Sequence, residues 1–305
     1  MDNYFKGKKV LLLGGLGFVG KNVLIRLVKL GALPIIVYKS NHKDSEDDYL
    51  KKCTLLKTDP ILDFESIIDS IRQSDIIINL ILGDKNDPVF QHQNTELNLK
   101  ILNLCISEKI DAVHVHLGSR LQYARKKGAV YDENDDISSS NVYGIEKSSS
   151  EQHFISFHKR YGLKVICMRI SNIYGYHDPL SNTIVDRMID SALKGQIQID
   201  QDIERFKDFI YIDDFVDCLL ECIKNKDCYG KVFNVGGERI KLIDLAKAVS
   251  KVFGKGKDVK ILYKESEDFS FCLDISKIKK VTGWAPKTSL EKGLVMIKDK
   301  MGDSI

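Results

Sequence analysis

The stretch "KVLLLGGLGFVGKNVL", residues 9–24, constrains the fold more than any other part of the chain. An unbroken apolar run reads as a strand buried on both faces, as in a parallel sheet. It ends in Gly14, Gly17 and Gly20, and helical spacing begins at once. In a strand–turn–helix of this kind one glycine makes the tight turn, one lets the backbone approach a pyrophosphate, and one lets helix meet strand. The start of the helix adds N–H donors and the positive end of its dipole. Gly14, Gly17, Phe18, Val19 and Gly20 are therefore candidate pyrophosphate contacts of a dinucleotide. The competing reading is a glycine turn with a structural role only.

The alternation continues. "GKNVLIRLVKLGA" has helical spacing and stops at Gly31, "LPIIVYK" and "SDIIINLIL" read as strands, and "TELNLKILNLCISEKI" as a helix. "AVHVHLGS" and "LKVICMRISNIYG" read as further strands, and "SNHKDSEDDYLKK" as a solvated connection with a surface helix. Apolar strands alternating with helices predict an α/β protein with a Rossmann-type doubly wound parallel sheet. After residue 175 the regularity loosens, although "TIVDRMIDSALKG" and "LIDLAKAVSKVFG" remain amphipathic helices. The expected division is a dinucleotide-binding domain over 1–170, joined again by a segment of about 205–236. A smaller mixed α/β substrate-binding region takes 171–204 and 237–305, over the carboxyl edge of the sheet where open α/β sheets bind ligands.

Net charge is +3, too slight to argue for nucleic acid or an acidic membrane surface. The odd number of cysteines, seven without paired spacing, points to a reducing compartment and a cytoplasmic protein. Lys6, Lys8 and Lys9 before an apolar stretch imitate a signal peptide, but no small-residue cleavage site follows. No apolar run approaches the ~18 residues of a membrane span.

Tyr143 and Lys147, in "NVYGIEKSSSE", are four apart and share a helix face. A free tyrosine titrates near pH ~10, and a neighbouring ammonium, or a cationic nicotinamide, favours the phenolate. A depressed Tyr143 then exchanges protons with a sugar hydroxyl or carbonyl near neutrality. Ser119, closing the strand "AVHVHLGS", can hydrogen-bond the same oxygen. Alone, each motif is weak; together and in this order they make a candidate catalytic set. His114 and His116 lack further metal ligands at recognisable spacing and read as packed side chains, so no metal site is expected. Cys218 and Cys222 read as buried thiols on one helix face.

With these residues in place the chain resembles, over nearly its whole length, the extended short-chain dehydrogenase/reductases that act on nucleotide sugars as NAD(P)-dependent epimerases, dehydratases and ketoreductases. "RISNIYG", "FKDFIYIDDFVD", "VFNVGG" and "VTGWAPKTSLEKGL" match the C-terminal signatures of that group. The resemblance implies that Ser119 and Tyr143 bind the oxygen on a sugar carbon, commonly C4, and that Tyr143 moves the proton. Lys147 then holds the nicotinamide ribose. It places Asp59 beside the adenine, Leu80 beside the cofactor, Asn94 in support of the active site, and Asn172 on the diphosphate of a nucleoside-diphosphate sugar. Trp284 falls in the last signature and reads as core. A homodimer is common in the group.

Three departures shape the expectation. Dehydratases follow the catalytic hydroxyl residue with an Asp-Glu pair; here Ser119 is followed by Arg120 and Leu121, so elimination of water has no evident catalyst. The two diphosphate-binding arginines read Lys207 and Lys264, with Arg205 able to share a face with Lys207 in an extended segment; three solvated surface cations are the alternative. At the end of the second strand, where the group has an acid for the ribose of NAD, stand Tyr38, Lys39 and Ser40. Hydroxyls and a cation suit a 2′-phosphate, so NADP(H) is expected, with NAD(H) the alternative. NADPH is normally consumed and exchanged, so reduction of a nucleoside-diphosphate 4-keto-6-deoxy sugar is the first expectation and a 4-epimerase with bound NAD the second. A dinucleotide-binding sensor without catalysis is the third.

Overall fold

The computed structural model describes residues 3–39, 48–126, 129–177, 183–199, 202–254, 260–263 and 270–302. They pack into two units. The first takes in Met1–Ala124, Asp136–Arg169 and Leu219–Phe233, and the second Arg125–Asp135, Ile170–Cys218 and Asn234–Ile305. Within 205–236, Leu219–Phe233 falls in the first unit, and 205–218 and 234–236 fall in the second.

In chain order the elements are β1 (Lys9–Leu13), α1 (Phe18–Lys29), β2 (Leu33–Tyr38), β3 (Thr54–Lys57), α2 (Ile68–Arg72), β4 (Ile76–Asn79), α3 (Pro88–Ser107) and β5 (Val113–Ser119). There follow β6 (Ala129–Tyr131), α4 (Val142–Tyr161), β7 (Lys164–Ile170), β8 (Asn172–Tyr174), α5 (Ile184–Leu193), β9 (Gln196–Ile199), β10 (Phe206–Tyr211) and α6 (Ile212–Lys224). The last are β11 (Lys231–Val235), β12 (Glu238–Lys241), α7 (Leu242–Phe253), β13 (Lys260–Tyr263), β14 (Phe271–Leu273), α8 (Ser276–Thr282) and α9 (Leu290–Gly302).

The main sheet has seven strands in the order β11-β7-β5-β4-β1-β2-β3. β1 pairs in parallel with both β2 and β4, so the winding reverses between β1 and β4. Open α/β sheets bind their ligands outside the carboxyl ends of the strands at such a point. Val10, Leu11, Leu12 and Leu13 are fully buried, as an apolar run covered on both faces requires. Leu11, Leu13, Ile35, Val37 and Ile77 form one face and pack against Ile67, Ile71, Leu97 and Ile101. Each such side chain contributes about 1.5–3 kcal/mol by leaving water.

Two elements differ from the sequence expectation. The described part of the expected surface helix is a single 3₁₀ turn at Leu50–Lys52, a length too short to bury a face; residues 40–47 lie outside the described set. "LKVICMRISNIYG" is two strands: the chain breaks at Ser171, and Asn172–Tyr174 pairs with Phe209–Tyr211 in another sheet.

The second unit is built on a five-stranded mixed sheet, with β12-β10-β14-β6 in order and β8 beside β10, and a parallel pair of β9 and β13. α7 buries Leu242, Leu245, Ala246, Val249 and Phe253, the stripe its helical spacing predicts. Asp214 accepts hydrogen bonds from the backbone N–H groups of Lys287 (3.1 Å) and Thr288 (2.8 Å), which pins the segment after Trp284. Trp284 is buried core. Among the described residues, no helix is long and apolar enough to cross a membrane.

Candidate active site

The glycine turn has the geometry its spacing implies. Gly14 sits at φ +75°, a left-handed conformation that a side chain disfavours, and its N–H donates to Val37 O at 2.9 Å. A Cβ at Gly20 would stand 2.6 Å from the backbone of Gly15, so only glycine lets α1 lie this close to the turn. α1 begins at Phe18 behind an extended Gly17 that supplies no capping side chain. Its first-turn N–H groups, including those of Val19 and Gly20, thus suit the pyrophosphate of a dinucleotide.

β2 ends at Tyr38, which is half-buried, and Lys39 is exposed. The ammonium of Lys39 pairs with Asp59 at 2.7 Å, joining two positions the sequence treated separately. Asp59 also accepts from the N–H of Ile61 at 3.1 Å. Ser40 lies outside the described residues.

Ser119 is the last residue of β5, and its hydroxyl hydrogen-bonds the phenol of Tyr143 near the start of α4. α4 starts at Val142 because Asn141 caps it, accepting from the Gly144 N–H at 2.9 Å, and it ends on Gly162 at φ +73°. Tyr143 and Lys147 share one face of it, and the Lys147 ammonium is 5.7 Å from the centroid of the Tyr143 ring. A depressed phenol was expected. Burial instead pushes Tyr143 up to about 12, and the hydrogen bond to Ser119 draws it back only in part. Burial, and then the charge of Lys85, lower Lys147 to about 8, so the cation meant to activate the phenol is held at a cost, although it stays largely protonated at pH 7. Lys85 lies 5.3 Å from the same ring centroid. Sequence reasoning missed it, because it sits in an aperiodic loop.

Leu80 donates its N–H to Leu13 O at 2.8 Å, which extends the β1–β4 pairing to the strand end. Asn94 holds the loop after it through a polar ladder. Asn79 Nδ2 donates to Asn94 Oδ1 (2.8 Å) and to Asn98 Oδ1 (2.9 Å), while Asn94 Nδ2 donates to Ile81 O (3.0 Å). Asn98 Nδ2 continues to Ser150 Oγ (3.0 Å), and Ser150 meets His116 at 3.3 Å. The other ring nitrogen of His116 lies 3.2 Å from Lys147 O. His116 is thus a brace between β5 and α4. His114 is buried on the same strand, and burial lowers its pKa to about 4.

In the second unit, Asn172 Nδ2 donates to Asp208 O at 2.8 Å. Arg205 and Lys207 are both buried, which rules out the reading as solvated surface cations. Arg205 precedes β10 at the close of a turn, its N–H on Asp202 O at 3.2 Å, so the shared-face argument for an extended segment does not apply. Lys264 lies outside the described residues.

The sheet order and the glycine turn at its reversal point define an α/β protein of the Rossmann type, and Ser119, Tyr143 and Lys147 lie together in its first unit. A profile of the NAD-dependent epimerase/dehydratase family matches residues 10–236, and the chain belongs to that family. It is 26% identical, over 95% of its length, to a trifunctional UDP-glucose 4,6-dehydratase/UDP-4-keto-6-deoxy-D-glucose 3,5-epimerase/UDP-4-keto-L-rhamnose-reductase of Arabidopsis thaliana. The match spans 46% of that plant protein, so the chain corresponds to about half of it. An epimerase structure from Methanothermobacter thermautotrophicus superposes with a TM-score of 0.87 at 21% identity, covering 99% of this chain and 94% of that one. A UDP-glucose 4-epimerase of Thermotoga maritima, solved with UDP-glucose, gives 0.84 at 24% identity, covering 97% and 99%.

Proposed function

We propose that the protein is an NADP(H)-dependent reductase acting on the 4-keto group of a nucleoside-diphosphate 4-keto-6-deoxy sugar. The observation that carries the chemistry is the hydrogen bond between Ser119 and Tyr143, next to Lys147. When bound, the dinucleotide supplies or accepts the hydride. Gly14, Gly17, Phe18, Val19 and Gly20 hold its pyrophosphate, Tyr38, Lys39 and Ser40 its adenosine end with Asp59, and Leu80 flanks it. Ser119 orients the sugar oxygen, Tyr143 delivers the proton to it, and Lys147 binds the nicotinamide ribose. A cationic ring and a charged Lys147 offset the burial that holds the phenol up. Asn172, Arg205, Lys207 and Lys264 are assigned to the sugar diphosphate. Arg120 and Leu121, in place of an acid pair, leave dehydration without a catalyst. The reading includes a cytoplasmic homodimer, which light scattering checks.

The preference for NADP(H) rests on the lack of an acid at the end of β2. One observation favours the second reading, a 4-epimerase keeping NAD: Lys39 is already paired with Asp59. The test is to purify the protein without added cofactor, identify any released dinucleotide by mass, and assay 4-keto-6-deoxy nucleotide sugars with NADPH. Co-purified NAD and interconversion of C4 epimers would sink the reductase. In either case Tyr143→Phe should lower kcat by about 10²-fold or more while dinucleotide affinity holds. A sensor would keep its response to a partner instead.

A further inference from the structure

We infer that Gln122 is a positioning residue, which sets the Ser119–Tyr143 pair by clamping the end of β5 to α4. The inference rests on the proposed role of that pair. After Ser119 the chain enters a 3₁₀ turn, Arg120–Gln122. The Ser119 hydroxyl accepts from the N–H of Leu121 at 3.2 Å, and Gln122 Oε1 accepts from the N–H of Ser119 at 2.7 Å. Both ends of the catalytic serine are thus fixed by the three residues that follow it.

The same amide reaches the catalytic helix. Gln122 Nε2 donates to Glu151 Oε2 at 2.9 Å. Glu151 is on α4, four residues after Lys147 and eight after Tyr143, so the three share a face. Arg169, on β7, holds the Glu151 carboxylate with two bonds, Nη2 to Oε1 at 2.7 Å and Nε to Oε2 at 3.0 Å. Its Nη1 donates to Tyr123 Oη at 2.8 Å. Gln122 has no exposed surface, and Glu151 and Arg169 are buried too. An amide is what the position needs, since it must accept from an N–H with one atom and donate to a carboxylate with the other. Glutamate would set two buried carboxylates against each other, and leucine would orphan the buried N–H of Ser119 and leave Glu151 Oε2 with Arg169 Nε as its remaining donor. Because Tyr143 bonds the serine, a displaced Ser119 changes the proton site directly.

The experiment uses the full chain with saturating dinucleotide and tyrosine labelled with ¹³C at Cζ. The Tyr143 resonance is identified by its loss in Tyr143→Phe. Gln122→Leu should shift that resonance, lower kcat about tenfold with KM for the sugar nearly unchanged, and add less than about twofold in a Ser119→Ala background. Gln122→Glu should be worse than Gln122→Leu, and Glu151→Gln should partly rescue it by restoring a donor opposite an acceptor. Tyr123→Phe, at the far side of the same network, should lower the melting temperature and leave the resonance alone. A folded Gln122→Leu protein with an unmoved Tyr143 resonance overturns the inference, as do effects that multiply fully with Ser119→Ala. If Gln122→Leu does not fold, the Gln122→Glu and Glu151→Gln pair decides, and no rescue overturns it. If the wild type turns over no nucleotide sugar, the proposed function fails, while the resonance still decides the role of Gln122.

Discussion

The ammonium of Lys147 sits where burial disfavours its charge, and its pKa of about 8 is the measure of that cost. An unfolded lysine titrates near ~10.4. Between those values the unfolded chain binds more protons than the folded one, so stability rises with pH there. Below about pH 8 the folded protein carries the full penalty. Lys147→Met should therefore stabilise the protein at pH 7, by a margin on the order of 1–3 kcal/mol, and the margin should shrink towards pH ~10. Turnover should fall at the same time. Urea melts of both proteins at the two pH values check this, and a margin that stays constant with pH would refute it. At this scale the glycine turn and the shared helix face of Tyr143 and Lys147 were legible because local spacing carries them. Asn79, Asn98, Gln122 and Glu151 were not. Their partners lie 19, 52 and 29 positions away, and nothing in a single sequence marks a polar residue whose partner comes from another element.

Among the elements, α1 shows how a sequence pattern becomes a site. The helix starts where it does because Gly20 has no side chain to keep it off Gly15. Gly20→Ala puts a methyl 2.6 Å from the Gly15 backbone, and a turn closed by Gly14 has little room to yield. Overpacking of this kind costs about 1–3 kcal/mol, and the larger effect should fall on the proposed pyrophosphate cradle. Gly20→Ala should lower dinucleotide affinity by at least tenfold, roughly 1.4 kcal/mol, with only a moderate fall in melting temperature. Calorimetric titration decides it; unchanged affinity would show that the turn is scaffolding alone. In the first unit β1, β2, β4, β5 and α1 were readable because each buries a regular apolar pattern, whereas β3, exposed along most of its length, carried no such signal. The break at Ser171 was not, since a change of sheet leaves the apolar run intact. The short turn at Leu50–Lys52 carried charges that read equally well as a surface helix.

On the scale of the whole molecule, the chain passes between its two units several times, and the boundaries follow pairings that sequence does not announce. Arg125–Asp135 belongs to the second unit because β6 pairs with β14, Ala129 opposite Phe271, a three-residue ladder too short to show a period. The choice of dinucleotide is equally a property of the folded molecule. Tyr38 ends β2 without a carboxylate, but Asp59, brought in after β3, stands 2.7 Å from Lys39. A ribose 2′-phosphate would compete with Asp59 for that ammonium, whereas the bare ribose of NAD would leave the pair intact. A ligand that binds only the folded state stabilises it in proportion to its saturation, by about 2.7 kcal/mol at 100 times Kd. If the proposed preference for NADP(H) holds against that competition, NADPH should at equal concentration raise the melting temperature more than NADH. Tyr38→Asp should reverse the order, because a carboxylate there accepts from ribose hydroxyls and repels the phosphate. Asp59→Asn, which frees Lys39, should widen the NADPH advantage. A larger shift with NADH in the wild type, and no change on Tyr38→Asp, would assign the end of β2 to NAD and leave the epimerase as the reading to pursue.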